Sequence, residues 1–148
     1  MLPLTLISLL FLKNKFLHSE ELYEEKINTY IKSNYSNSNF QNTLFKMIDE
    51  RNLKDSDVYN KVHIDRRLFS KIRSDKNYHP SKETVILLAI ALELNEKELD
   101  NLLESASYSL PKNNKFDLII RFCFINKIFK LTDINELLYE YNCKLLNY

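Results

Sequence analysis

Glycine is absent from all 148 residues of this chain. Glycine lets backbone turn left-handed or come into contact with a phosphate. Its absence removes P-loops, glycine-rich dinucleotide loops and nucleophile elbows. Helix ends must be closed by other residues. Asparagine is the usual substitute at left-handed positions, and Asn52, Asn77, Asn126 and Asn142 are the candidates.

Within that constraint, the stretch L-K-D-S-D-V-Y-N-K-V-H-I-D-R-R-L-F-S-K-I-R-S-D-K, Leu53 to Lys76, reads as two short helices joined by a tight turn. In the first, Val58 and Val62 sit one turn apart, with Ile64 just beyond. In the second, Leu68, Phe69 and Ile72 make one apolar face, and Asp65 is placed to cap it. Arg66, Arg67, Ser70, Lys71 and Arg73 are left facing outward. A short helix with an apolar back and a cationic front is what a DNA major groove accepts.

These residues resemble the helix-turn-helix core of the XRE family, the phage-repressor and Cro-like regulators. Val58, Val62, Ile64, Phe69 and Ile72 fall on that family's core positions. Pro80-Ser81-x-Glu83-Thr84 and Leu88-Ala89-x-Ala91-Leu92 fall on its fourth helix, and Asn95 to Leu99 on its fifth. One extra residue is needed around Tyr78. Three positions depart from the family pattern: Asp55 stands where Gln often touches phosphate, Tyr59 where a small Ala is usual, and His63 where the turn usually has Gly. The region is also similar to small helix-turn-helix modules of bacteria, some of them tail domains on larger proteins. The resemblance implies Lys76 at a phosphate.

Net charge is near zero, so the chain is no basic nucleic-acid coat, yet its charge is unevenly placed. Between 61 and 76 six cations face two anions; between 82 and 104 two cations face six anions. One side of the molecule is expected to be positive; two ordinary solvated helix faces would give the same counts. Cys123 lies in the apolar run R-F-C-F-I, which favours a buried thiol over a disulfide or metal pair. His18, His63 and His79 have no Cys or carboxylate at ligand spacing. No metal, cofactor or catalytic constellation is expected.

Along the chain, Met1 to Leu12 is nearly all apolar but too short to span a bilayer as a helix. Lys13 and Lys15 follow the run rather than precede it, unlike a signal peptide. It is expected to be a helix or strand packed on the domain or on a second copy, with a membrane-contacting anchor as the lesser alternative. Ser19 is expected to cap a helix running to Lys32, with Tyr23, Ile27, Tyr30 and Ile31 as its apolar stripe. Ser33 to Asn39 reads as a polar link. Ser38 with Gln41 is a capping box opening the next helix. The Ser81 helix is apolar nearly all round, so Ile86 and Ile90 are expected to meet the C-terminal helices or another subunit. Asn95 with Glu98 opens a further helix. Lys115 to Ile125 is another, and Asp133 with Glu136 opens the last.

The expected fold is all-α: a five-helix repressor-like helix-turn-helix core with an N-terminal helical extension and two extra C-terminal helices. The expected divisions are 1–37, 38–110 and 111–148. The expected function is sequence-specific duplex DNA binding by a cytoplasmic bacterial or phage-type transcriptional regulator. Arg66 and Arg67 would reach base edges, with Lys71 on a base or a phosphate. Lys54, Ser56, Arg73 and Lys76 would hold the backbone, and Ser70 lies on the same front. A homodimer would set two such helices one DNA turn apart. The alternative is a protein-interaction module with a degenerate helix-turn-helix, an antitoxin or phage-defence accessory. Its evidence is Asp55, Tyr59 and His63, with eleven Lys or Arg against twelve Asp or Glu from Phe40 to Ala106. An enzyme is not expected.

Overall fold

The computed structural model describes residues 4–35 and 39–147, which fall into two compact units, Met1–Asn37 and Ser38–Tyr148. Every regular element among the described residues is a helix, with no strand among them.

The first unit holds α1 (Leu4–Asn34). It is one continuous helix, where a separate helix capped by Ser19 was expected. Neither Pro nor Gly falls between residues 4 and 34, so nothing in the chain stops the helix at Ser19. It also runs on into the expected polar link. Thr29, Ser33 and Asn34 turn their side chains back to the carbonyls of Glu25, Thr29 and Tyr30. Leu6, Leu9, Phe11, Tyr23 and Tyr30 are exposed. No described helix is long and apolar enough to cross a membrane.

The second unit is built of α2 (Phe40–Glu50), α3 (Asp55–Lys61), α4 (Arg66–Ser74), α5 (Lys82–Ala91), α6 (Glu96–Ser105), α7 (Lys115–Ile125) and α8 (Leu131–Glu140). At its centre is α5, in which every residue from Thr84 to Ala91 is buried. The helices α3 and α6 pack on α5, α4 on α3, α2 and α7 on α6, and α8 on α7. Ile86 and Ile90 are fully buried within this one chain, so neither is available to another subunit.

Helix starts follow local chemistry. Asn39, Asp65, Ser81, Asn95 and Asn114 each accept a hydrogen bond from a first-turn backbone N–H. Asn95 and Glu98 form the expected reciprocal capping box. Ser38 lies outside the described residues. Its expected partner Gln41 is engaged elsewhere, and Asn39 caps α2 instead. The last helix starts earlier than expected, with Lys130 at its N-cap and Asp133 inside its first turn.

Helix ends show how a chain without glycine stops. The residue after the cap takes a left-handed φ in α2, α3, α5, α6, α7 and α8: Asn52, His63, Glu93, Ser107, Lys127 and Asn142, with φ between 51° and 64°. Each carries the paired backbone bonds of a Schellman motif, such as Leu53 N to Ile48 O and Asn52 N to Asp49 O. The next residue is apolar or thiol-bearing each time: Leu53, Ile64, Leu94, Tyr108, Ile128 and Cys143. Of the four asparagines expected here, Asn52 and Asn142 take the position. Asn126 is one residue too early and leaves it to Lys127; Asn77 sits in the 75–80 loop, its N–H on Asp75. The position is selected by the apolar residue that folds back next, not by which residue best tolerates the angle.

Three polar clusters tie the elements together. Arg51 at the end of α2 donates to Met47 O, Leu92 O and the Glu98 carboxylate (2.8 Å). Buried Asp117 on α7 meets Lys82 of α5 at 2.8 Å and Asn114 at 2.6 Å. Arg121 joins α7 to Asp100 and Glu96 of α6. A buried carboxylate without such a partner would be costly, so Asp117 and Lys82 oblige α7 to sit against the start of α5.

Candidate nucleic-acid interface

The arrangement starts from two apolar residues one turn apart on either side of a tight turn. Val58 and Val62 of the α3 segment are fully buried, and Phe69 and Ile72 on the back of α4 are nearly so. The Asp65 side chain accepts from Arg67 N at 2.7 Å and fixes where α4 begins. With that back face buried, Arg66, Arg67, Ser70, Lys71 and Arg73 are exposed. Lys54 and Lys76 are exposed, and Ser56 is half-buried.

Each of the three positions that depart from the resembled family has a physical accommodation. Tyr59 is half-buried against Phe69, ring centroids 5.5 Å apart, with Phe45 edge-on to Phe69 at 6.1 Å. The larger side chain is thus taken up by an aromatic cluster. His63 adopts the left-handed angle, φ 56°, that a glycine would take at the turn. Asp55 is held by Arg73 in a two-pronged pair, Nε to Oδ2 at 2.6 Å and Nη2 to Oδ1 at 2.5 Å. The same guanidinium lies 3.9 Å over the Phe45 ring. The hydrogen bond to Asp55 raises Arg73's already high pKa, against an opposing push from burial.

The structure therefore separates the candidate cations. Arg73 is spent within the fold, and Lys71 rests 5.0 Å over the Tyr78 ring. Arg66, Arg67 and Lys76 have no ion-pair partner among the described residues. On the acidic side the pattern is reversed. Glu83, Glu93, Glu96, Glu98 and Asp100 each meet a cation: Lys144, Lys61, Arg121, Arg51 and Arg121 again.

Two contacts were not visible in the sequence. Gln41 of α2 reaches the C-terminal end of α4, donating to Ile72 O at 2.9 Å and to Arg73 O. Asn147, near the end of the chain, donates to Val62 O and His63 O at 2.7 Å each. Both side chains serve orphan carbonyls at helix ends. They lie 31 and about 85 positions from their partners, beyond any local pattern. Among the described residues, no group of three or more His, Cys, Asp or Glu side chains could hold a metal ion.

No family model, curated protein or solved structure matches the chain.

Proposed function

We propose that residues 38–110 are a repressor-like helix-turn-helix core that binds duplex DNA, with α4 as the helix that enters the major groove. The observation that carries this is the pair Arg66 and Arg67, exposed at the N-terminal end of α4 and without an ion-pair partner among the described residues. Recognition helices of this class present those first-turn residues to base edges. The Asp55 carboxylate, which would repel a phosphate, is neutralised by Arg73. In this reading Arg66 and Arg67 reach base edges, and Lys54, Ser56, Lys71 and Lys76 hold the backbone. Two copies present two such helices to successive turns of the duplex.

Arg66→Ala and Arg67→Ala test it. Both residues are exposed, so each change costs stability no more than about 0.5 kcal/mol. Each costs about 1–3 kcal/mol of discrimination at one base position where the contact to guanine is bidentate. Equal loss on every sequence would make these residues phosphate contacts. No loss on any duplex would remove α4 from the interface.

A second reading, a protein-interaction module, is favoured by one observation. Leu118, Phe122 and Ile125 are exposed at helical spacing along α7. Phe122→Lys should remove protein association through that face and leave duplex binding unchanged, whereas Arg66→Ala and Arg67→Ala should do the reverse.

A further inference from the structure

We propose that the C-terminal tail, residues 142–147, is a strut that fixes the turn in front of α4, with Asn147 as the positioning residue. The consequence for DNA rests on the reading of α4 given above.

The tail is anchored at three places. On α8, Asn135 brackets Leu146, donating to its carbonyl at 2.9 Å and accepting from its N–H at 2.8 Å. Leu146 itself is buried. On α5, Glu83 accepts from Asn147 N at 2.9 Å; Lys144, 3.1 Å from the same carboxylate, is exposed, and such a pair adds little hold. On the turn, both amide hydrogens of Asn147 are used, one on Val62 O and one on His63 O. Asn147 is itself left-handed, φ 45°, so the backbone bends to bring the amide there.

The turn offers such a partner two carbonyls. Val62 is the cap of α3, a helix of only seven residues, and His63 stands in a left-handed angle without glycine's freedom. Its own backbone supplies the His63 N–H bond to Asn60 O, at a long 3.3 Å, and the Ile64 N–H bond to Tyr59 O at 2.9 Å. Asp65, Arg66 and Arg67 follow directly. Whatever holds residues 62 and 63 sets where the first turn of α4 points. The last helix is thereby coupled to the proposed reading helix through its tail.

Asn147→Asp keeps the size and removes both donors; Lys144→Ala removes only an exposed ion pair and serves as control. Amide hydrogen exchange on the full chain reads the strut directly. In Asn147→Asp, the His63 and Ile64 amides should exchange about 5–30-fold faster, the factor for one or two lost hydrogen bonds. The α6 amides of Leu102 and Leu103 should stay at the wild-type rate, and Lys144→Ala should match wild type. Unchanged His63 and Ile64 rates would overturn the proposal. So would equal acceleration through the whole unit, which would make Asn147 a general stabiliser. Duplex affinity in Asn147→Asp should fall by a similar factor with the salt slope unchanged, since no phosphate contact is lost. A wild-type chain that binds no duplex at low salt would sink the α4 reading, while the exchange rates would still decide the strut.

Discussion

At the scale of single residues, the absence of glycine has a measurable cost. A left-handed angle costs a non-glycine residue about 1–2 kcal/mol, partly offset by the chain entropy glycine would lose on folding. Lys127 takes that angle with φ 55° and is exposed. Lys127→Gly should therefore stabilise the protein by about 0.5–1 kcal/mol. Lys46→Gly, in the exposed interior of α2, should destabilise it by about 1 kcal/mol. Denaturant midpoints of the two variants check the contrast; a loss in both would mean the Lys127 backbone is not strained. The two thiols give a second test. Burial pushes the Cys123 thiol up to about 11, whereas Cys143 is half-buried beside Tyr141 O. A thiol reagent at neutral pH should modify Cys143 in the folded chain and reach Cys123 only on unfolding.

At the scale of helices, local chemistry in the sequence placed most starts and few of the ties between elements. Asp65, Ser81 and the Asn95–Glu98 box stand where a short window puts them, because a cap reads only its own first turn. The apolar back of α4 was equally plain from Leu68, Phe69 and Ile72. The ends were half legible: Asn52 and Asn142 were found, but Glu93, Ser107 and Lys127 were not. Residue type is a poor guide where the following apolar residue chooses the register. The ties that hold α4 were invisible, because Gln41, Asp55 and Asn147 act across the fold. Gln41 even looked like part of a capping box. The Arg51–Glu98 pair shows the same distance effect and has a pH signature. Burial pushes the Glu98 carboxyl up, but the Asn95 N–H and the Arg51 guanidinium outweigh it and hold the carboxyl below its ordinary 4.5. A depressed carboxyl stabilises the fold above its ordinary range and loses that contribution as pH falls through the lowered value. The stability gap between wild type and Glu98→Gln should be full near neutrality and shrink as pH falls below the ordinary 4.5. A gap that stays constant down to pH 3 would contradict this.

At the scale of the whole molecule, the caps and the α5-centred core lie in Ser38–Tyr148. A chain lacking residues 1–37 should therefore unfold cooperatively, as followed by circular dichroism during a thermal scan. Ile86 and Ile90, expected to meet the C-terminal helices or another subunit, belong to the core; Leu118, Phe122 and Ile125 on α7 are exposed. Sedimentation should show association of the full chain at micromolar concentration; a monomer throughout would remove the dimeric arrangement on DNA. The central claim is that the cationic front of α4 meets duplex DNA. It is tested most directly by the affinity of the full chain for duplex DNA across a range of salt. With Lys54, Lys71 and Lys76 on phosphates, log affinity should fall against log salt with a slope of about −3. Lys76→Ala should lower that slope by about one. Asp55→Gln, which releases Arg73 from its carboxylate, should strengthen binding. No detectable duplex binding at low salt, in wild type and in Asp55→Gln alike, would contradict the account.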